Sequence, residues 1–171
     1  MTRIVILVEG ESDREAVIAV AGVLGVRLAE VSVVPIGGAT NARRAALAFG
    51  VRGGGARLLG LSDRGEERHF RAALADEPDA GYEVCVEDLE DELMRALGPD
   101  RVLQVIDADG LAGRFRTFSA QPAQREWSIE RRLRRFVGTT AGRKIRYGRL
   151  LAQALRPEQV PGPLVRLLDR V

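Results

Sequence analysis

The sequence has one cysteine, one lysine, one histidine and one tryptophan among 171 residues, and aromatic residues make up only 5% of it. A lone thiol, Cys85, can form neither an intramolecular disulfide nor a cysteine zinc cluster. No apolar run approaches the roughly 18 residues that a membrane span needs. The first apolar run is too short for a signal peptide and ends in Glu9, so it is expected to be a strand. These absences point to a soluble cytoplasmic protein with no membrane contact. The scarcity of lysine is the most telling. Of 26 basic residues only Lys144 is a lysine, the rest being arginine. A genome that favours arginine codons is one reading of the many arginines. The one remaining lysine is a candidate for a role that arginine cannot fill, a compact point charge on a phosphate.

What is present suffices for one domain, or one domain with an appendage: apolar residues are 46% of the chain. The net charge is +2, but it is unevenly spread. Residues 1–124 hold 14 basic and 20 acidic residues, residues 125–149 hold nine basic and two acidic, and residues 150–171 add +1. An acidic centre beside a basic surface is expected, the first suited to metal and the second to phosphates. A basic helix face that is merely solvated is the alternative.

Short apolar runs at Ile4–Val8, 31–36, 57–61 and 82–86 predict buried parallel strands, with a fifth at 102–106. Helices are predicted between them: from a Ser12/Glu15 capping box to Leu24, from Thr40 or Asn41 to Ala48, from Asp63 or Glu66 to Leu74, and over 88–97. This alternation argues for a mainly parallel α/β sheet of four to five strands with helices on both faces. Residues 111–126 are expected to be loop, and 128–137 and 140–155 amphipathic helices. We therefore divide the chain into a metal-binding α/β unit, 1–110, and a basic helical extension packed on it, 111–171.

Acids follow three of the four strands: Glu9 and Asp13 after the first, Asp63 after the third, and Glu87, Asp88, Glu90 and Asp91 after the fourth. In an open parallel sheet these strand ends share one edge, where ligands bind. Carboxylates gathered there repel one another unless a cation lies between them, and hard oxygen donors suit Mg2+ or Mn2+. Each acid alone has a plainer reading. Asp13 lies in a first helical turn, Asp63 at an N-cap, and the acids of 87–92 on a solvated helix face. Glu9, in a Val-Glu-Gly turn after a buried strand, is harder to explain structurally.

The stretch Ile-Leu-Val-Glu-Gly-Glu-Ser-Asp, ending at Asp13, resembles the opening motif of Toprim domains, most closely the Toprim half of OLD-family (overcoming lysogenization defect) endonucleases. The resemblance implies a Toprim-like, Rossmann-like fold and Mg2+- or Mn2+-dependent nuclease chemistry, on DNA in preference to RNA. It implies metal ligands at Glu9, Asp13, Asp63 and, after the fourth strand, Glu90, with Glu9 and Lys144 catalytic. The family's Asp-x-Asp motif is matched only at Asp63, because Gly65 fills its second place; Glu66 or Glu67 is the nearest substitute. No Gly-x-x-x-x-Gly-Lys-Ser/Thr loop occurs, so ATP dependence is expected, if at all, from a separate ATPase partner.

Arg131, Arg132, Arg134, Arg135, Arg143 and Arg146 are the expected nucleic-acid grip. The Asp-Ala-Asp of 107–109 comes one strand too late for the Toprim order and reads as a turn. His69 is expected to be exposed, Cys85 buried in a strand, and Trp127 an anchor in the core at a helix start, with stacking on a base the alternative. Two other readings compete: a non-catalytic Toprim-like module, favoured by Gly65, and a receiver-like or nucleotide-binding α/β domain, which Lys144 follows too late to serve.

Overall fold

Ile4–Val8 (β1) is apolar throughout because both of its faces are covered. Ile6 and Val8 join one apolar cluster, Val5 and Leu7 another, and all four are inaccessible to solvent. The structure, a computed structural model, describes residues 3–171. Beside β1 run Val31–Pro35 (β2) on one side and Arg57–Asp63 (β3) on the other, and Gly81–Cys85 (β4) pairs with β3. All pairings are parallel, and the spatial order is β2-β1-β3-β4. The chain thus turns first one way and then the other from β1. The crevice where the order reverses lies between the C-terminal ends of β1 and β3.

One face carries Ala42–Phe49 (α2) and Glu67–Leu74 (α3). The other carries Glu11–Leu24 (α1), Leu89–Leu97 (α4), Pro99–Ala108 (α5) and a series of later helices, all but the short 122–125 helix contributing to one apolar cluster. Those later helices are Ala112–Ser119 (α6), Pro122–Arg125 (α7), Ile129–Gly138 (α8), Ala141–Gln153 (α9) and Gly162–Leu168 (α10). No helix among the described residues is long and apolar enough to cross a membrane.

Three expectations from sequence are corrected. Residues 102–106 lie in α5, not in a strand: Pro99 starts the helix, and the buried Val102 and Ile106 lie one turn apart on its inner side. Residues 111–126 contain α6 and α7, and α6 is held by packing that local sequence does not announce. Phe115 and Phe118 meet Phe136 of α8 at centroid distances of 5.2 and 5.6 Å. The first helix begins at Glu11 with Gly10 as its N-cap, and it is Asp13, not Glu15, whose carboxylate accepts the Gly10 N–H at 2.8 Å. The Ser12/Glu15 box is therefore absent. Two smaller corrections concern side chains. Trp127 is half-exposed rather than a core anchor, and His69 is half-buried rather than exposed.

The last segment is pinned from below. Glu83 of β4 is buried and accepts hydrogen bonds from Arg166 at 2.7 Å and Arg170 at 3.1 Å, joining α10 to the sheet. More important for function is the contact of α9 with α1. A Cβ built on Gly148 would lie 2.5 Å from the Ser12 carbonyl oxygen, so only glycine lets the two helices meet this closely. Gly148→Ala is expected to cost about 1–3 kcal/mol through overpacking, read as a lower urea midpoint at unchanged slope. Gly142→Ala, on the same helix with open space around its Cβ, should instead stabilise by roughly 0.4–1 kcal/mol. Equal effects would deny the close approach.

Candidate functional site

β1 and β3 are neighbours, so Glu9 and Asp63 arrive side by side at the crevice. The Asp63 N–H donates to the Glu9 carboxylate at 3.1 Å. Asp13 sits on the first turn of α1, its carboxylate held over Gly10. Gly38, whose φ of 107° is open only to glycine, folds the β2–α2 loop back so that its N–H reaches the Glu9 carbonyl at 3.0 Å. Three elements therefore fix the acids by backbone geometry.

The acids after β4 are sorted by the structure. Asp88 caps α4, accepting the Asp91 N–H at 2.8 Å. Asp91 pairs with Arg95 at 2.7 Å. Glu92 is buried, accepts the Val86 N–H at 2.7 Å and pairs with Arg95 at 2.9 Å. Glu87 is exposed. Glu90 is left, buried and facing the site. The Lys144 ammonium of α9 lies 3.4 Å from it. Lys144 is one turn ahead of Gly148, so the close α1–α9 contact carries the ammonium to the acids.

The electrostatics record how crowded this point is. Burial first, then the charges of Glu9, Asp13, Asp88 and Glu90, push Asp63 up to about 8. Asp13 is pushed up to about 6 by burial and then by Glu90, against the pull of the Gly10 N–H and Lys144. Burial also raises Glu9, opposed by its hydrogen bond from Asp63. For Lys144, burial works downward, but Glu90 and Asp13 outweigh it and hold the ammonium above the usual lysine range. Among the described residues no three His, Cys, Asp or Glu side chains converge on one point as a closed ligand set.

Of the two candidate stand-ins for the missing second aspartate, Glu66 is on the side of the site, where its charge raises Glu9. Glu67 turns away to Arg71 at 2.8 Å and the Tyr82 hydroxyl at 3.2 Å. Gly65 itself is exposed, with nothing within 4 Å of a built Cβ. His69, which sequence reasoning set aside, belongs here: it lies 3.4 Å from Glu66, whose charge acts on Glu9. The signal was its place three residues after Glu66, on the same helix side. Asp109 of the 107–109 stretch is buried and bonded to Arg146, away from the acids.

The chain matches the C-terminal region of the Burkholderia pseudomallei OLD protein at TM-score 0.69 and 22% identity, over 99% of this chain and 96% of that one. It matches the C-terminal region of the Xanthomonas campestris pv. campestris OLD protein at TM-score 0.71 and 24% identity, over 99% of this chain and 92% of that one. The fold is that of the OLD C-terminal region. No protein-family model and no curated protein sequence matches the chain. The OLD-type fold agrees with the Toprim-like architecture read from the opening motif, and at these identities the likeness concerns architecture alone.

Within this OLD-type fold the six arginines expected to grip nucleic acid divide. Arg131 and Arg135 are exposed and make no ion pair among the described residues. Arg134 pairs with Asp88 and, at 3.6 Å, with Asp91. Arg132 is half-buried, its Nε without a hydrogen-bond partner. Arg143 lies 4.2 Å over the Phe136 ring and donates to the Phe136 carbonyl at 2.7 Å, and Arg146 is held by Asp109.

Proposed function

We propose that this protein is a Mg2+- or Mn2+-dependent nuclease that cleaves nucleic-acid phosphodiesters, DNA in preference to RNA. The observation that carries this reading is the meeting of Glu9, Asp13, Asp63 and Glu90 with a single ammonium, Lys144, at the crevice between β1 and β3. The donor set fits such an ion by its chemistry. It consists of hard carboxylate oxygens, and two of the four groups, Asp13 and Asp63, are raised in pKa in part by the charges of the others. Glu9, Asp13, Asp63 and Glu90 would hold it, after rotation of side chains now bonded to the Gly10 and Asp63 amides.

A bound divalent ion supplies Lewis-acid polarisation and a more acidic water. Glu9, raised by burial, accepts the proton of the attacking water. Lys144 offers a positive charge to the phosphate as its own charge grows. Arg131 and Arg135 hold the strand by its phosphates without reading sequence.

The test is cleavage of labelled single- and double-stranded DNA and RNA in Mn2+, with binding measured in Ca2+. A non-catalytic module that binds nucleic acid is the second reading, favoured by the open ligand set and by Gly65. Binding without cleavage of any substrate would select it.

The two exposed arginines carry their own prediction. Neutralising Arg131 and Arg135 together should flatten the slope of log affinity against log salt on duplex DNA by about 1.8, at roughly 0.9 per phosphate. Neutralising Arg143 and Arg146, both engaged within the fold, should change it less. An unaltered slope in the first variant would leave that face merely solvated.

A further inference from the structure

Trp127 is the only tryptophan of the chain and takes part in neither the core nor the acid site. It stands in the turn between α7 and α8, half-exposed, with its backbone N–H donating to the Gln124 carbonyl at 3.0 Å. One turn into α8, the Arg131 guanidinium lies 4.1 Å from the centre of its ring. Trp127, Arg131, Arg134, Arg135 and Gly138 line an open hollow of about 480 Å³, within the range of small-ligand sites, roughly 300–1,000 Å³. Positions 131, 134, 135 and 138 recur at helical spacing, so three guanidinium groups and one indole share a single concave surface. Arg134 also touches Asp88 and Asp91. The hollow therefore borders the first turn of the helix that carries Glu90.

The chemistry of such a surface is selective. A duplex offers arginine its phosphates, but its base faces are already stacked, and the indole gains nothing. An acidic peptide would likewise leave the ring unused. An unpaired base presents a free π-face and carries a phosphate on either side, so it uses both kinds of group at once.

We propose that this hollow is a stacking subsite for an unpaired nucleobase, beside the phosphodiester site, so that the substrate is single-stranded or locally opened nucleic acid. The assignment rests on the nuclease reading for its meaning, but not for its test. The guanidinium of Arg131 is a planar cation that covers the ring face a base would use. A base takes its place, and the freed Arg131, with Arg135, turns to the flanking phosphates.

A single tryptophan makes the experiment direct, because its emission reports this hollow alone. In EDTA, an oligo-dT strand of about 12 nucleotides should quench Trp127 emission saturably. An abasic strand of equal length and charge should bind with little quenching, and so should a blunt duplex. Trp127→Ala should weaken oligo-dT binding about tenfold, as loss of one stacked base predicts. Its duplex affinity should stay the same, and Trp127→Phe should keep most of the single-strand affinity. Equal quenching by abasic strand or duplex overturns the subsite. So does oligo-dT binding as tight in Trp127→Ala as in the wild type, or no oligo-dT binding at all. The two readings fail separately: cleavage in Mn2+ without base-dependent quenching removes the subsite alone, and quenching without cleavage removes the nuclease alone.

Discussion

Lys144→Arg is expected to lower Mn2+-dependent cleavage by about 100-fold or more, the scale of one lost transition-state donor, while binding in Ca2+ barely moves. The charge is kept, so long-range attraction for phosphate is nearly unaltered. What changes is shape. The Lys144 ammonium reaches a point 3.4 Å from Glu90, on a helix held against α1 by Gly148. A planar guanidinium is broader and cannot occupy that point without moving the backbone or abandoning Glu90. Single-turnover cleavage beside equilibrium binding separates the two effects. Full activity in the variant would take the lysine out of the mechanism.

The second large effect is a reversal. In EDTA at pH 8, Asp63→Asn should be more stable than the wild type; in saturating Mn2+ it should be less stable, and it should not cleave. The first half follows from linkage. Asp63 is pushed up to about 8 in the folded protein from an ordinary value of 3.8. Between these values the native state keeps a proton that the unfolded chain has released. Stability from this group is therefore full at acid pH and is lost as pH rises through about 8. Asparagine has no proton to lose, so the variant's stability should be flatter over that window. Even ~1 kcal/mol of relieved repulsion moves the midpoint by roughly 2–4 °C at this size. The second half follows from mass action. An ion at 100 times its Kd stabilises by about 2.7 kcal/mol, and a variant lacking one ligand forfeits much of that. Melting curves at pH 5 and pH 8, with EDTA or Mn2+, decide the matter. A variant stabilised by Mn2+ as much as the wild type would remove Asp63 from the ligands.

The parallel sheet and the order of its acids were legible because β1 and β3 are buried on both faces, and such strands are apolar without interruption. The edge at which Glu9 and Asp63 meet then follows from topology. The α5 segment was misread for the same reason: Val102 to Ile106 is an apolar run interrupted only by Gln104, and over five residues a buried helix and a buried strand look alike. The Pro99 that starts the helix was the better guide. Helix α6 was hidden because it is held by Phe115 and Phe118 against Phe136, a tertiary contact with no local period, and α7 is a single turn with no buried residue. Among the site residues, Glu90 was separable from its acidic neighbours only by likeness to a family. The structure gives the physical reason, since Asp88, Asp91 and Glu92 are occupied by caps and arginines and Glu87 is exposed. His69 was missed because the face of α3 that meets Glu9 depends on how that helix sits on the sheet.

The Gly148–Ser12 contact has a consequence for how the molecule comes into being. The acids fall between residues 9 and 90, whereas their counter-charge rides on α9, at residue 144. During synthesis the segment from β1 to α4 emerges with four carboxylates and no lysine among them. Contacts of such long sequence separation form late, after a large loop has been closed. A nascent or truncated chain ending before α9 would hold the acids in mutual repulsion and leave the Ser12 side of α1 uncovered. The centre is thus completed only once α9 has been made, a timing built into the order of the sequence.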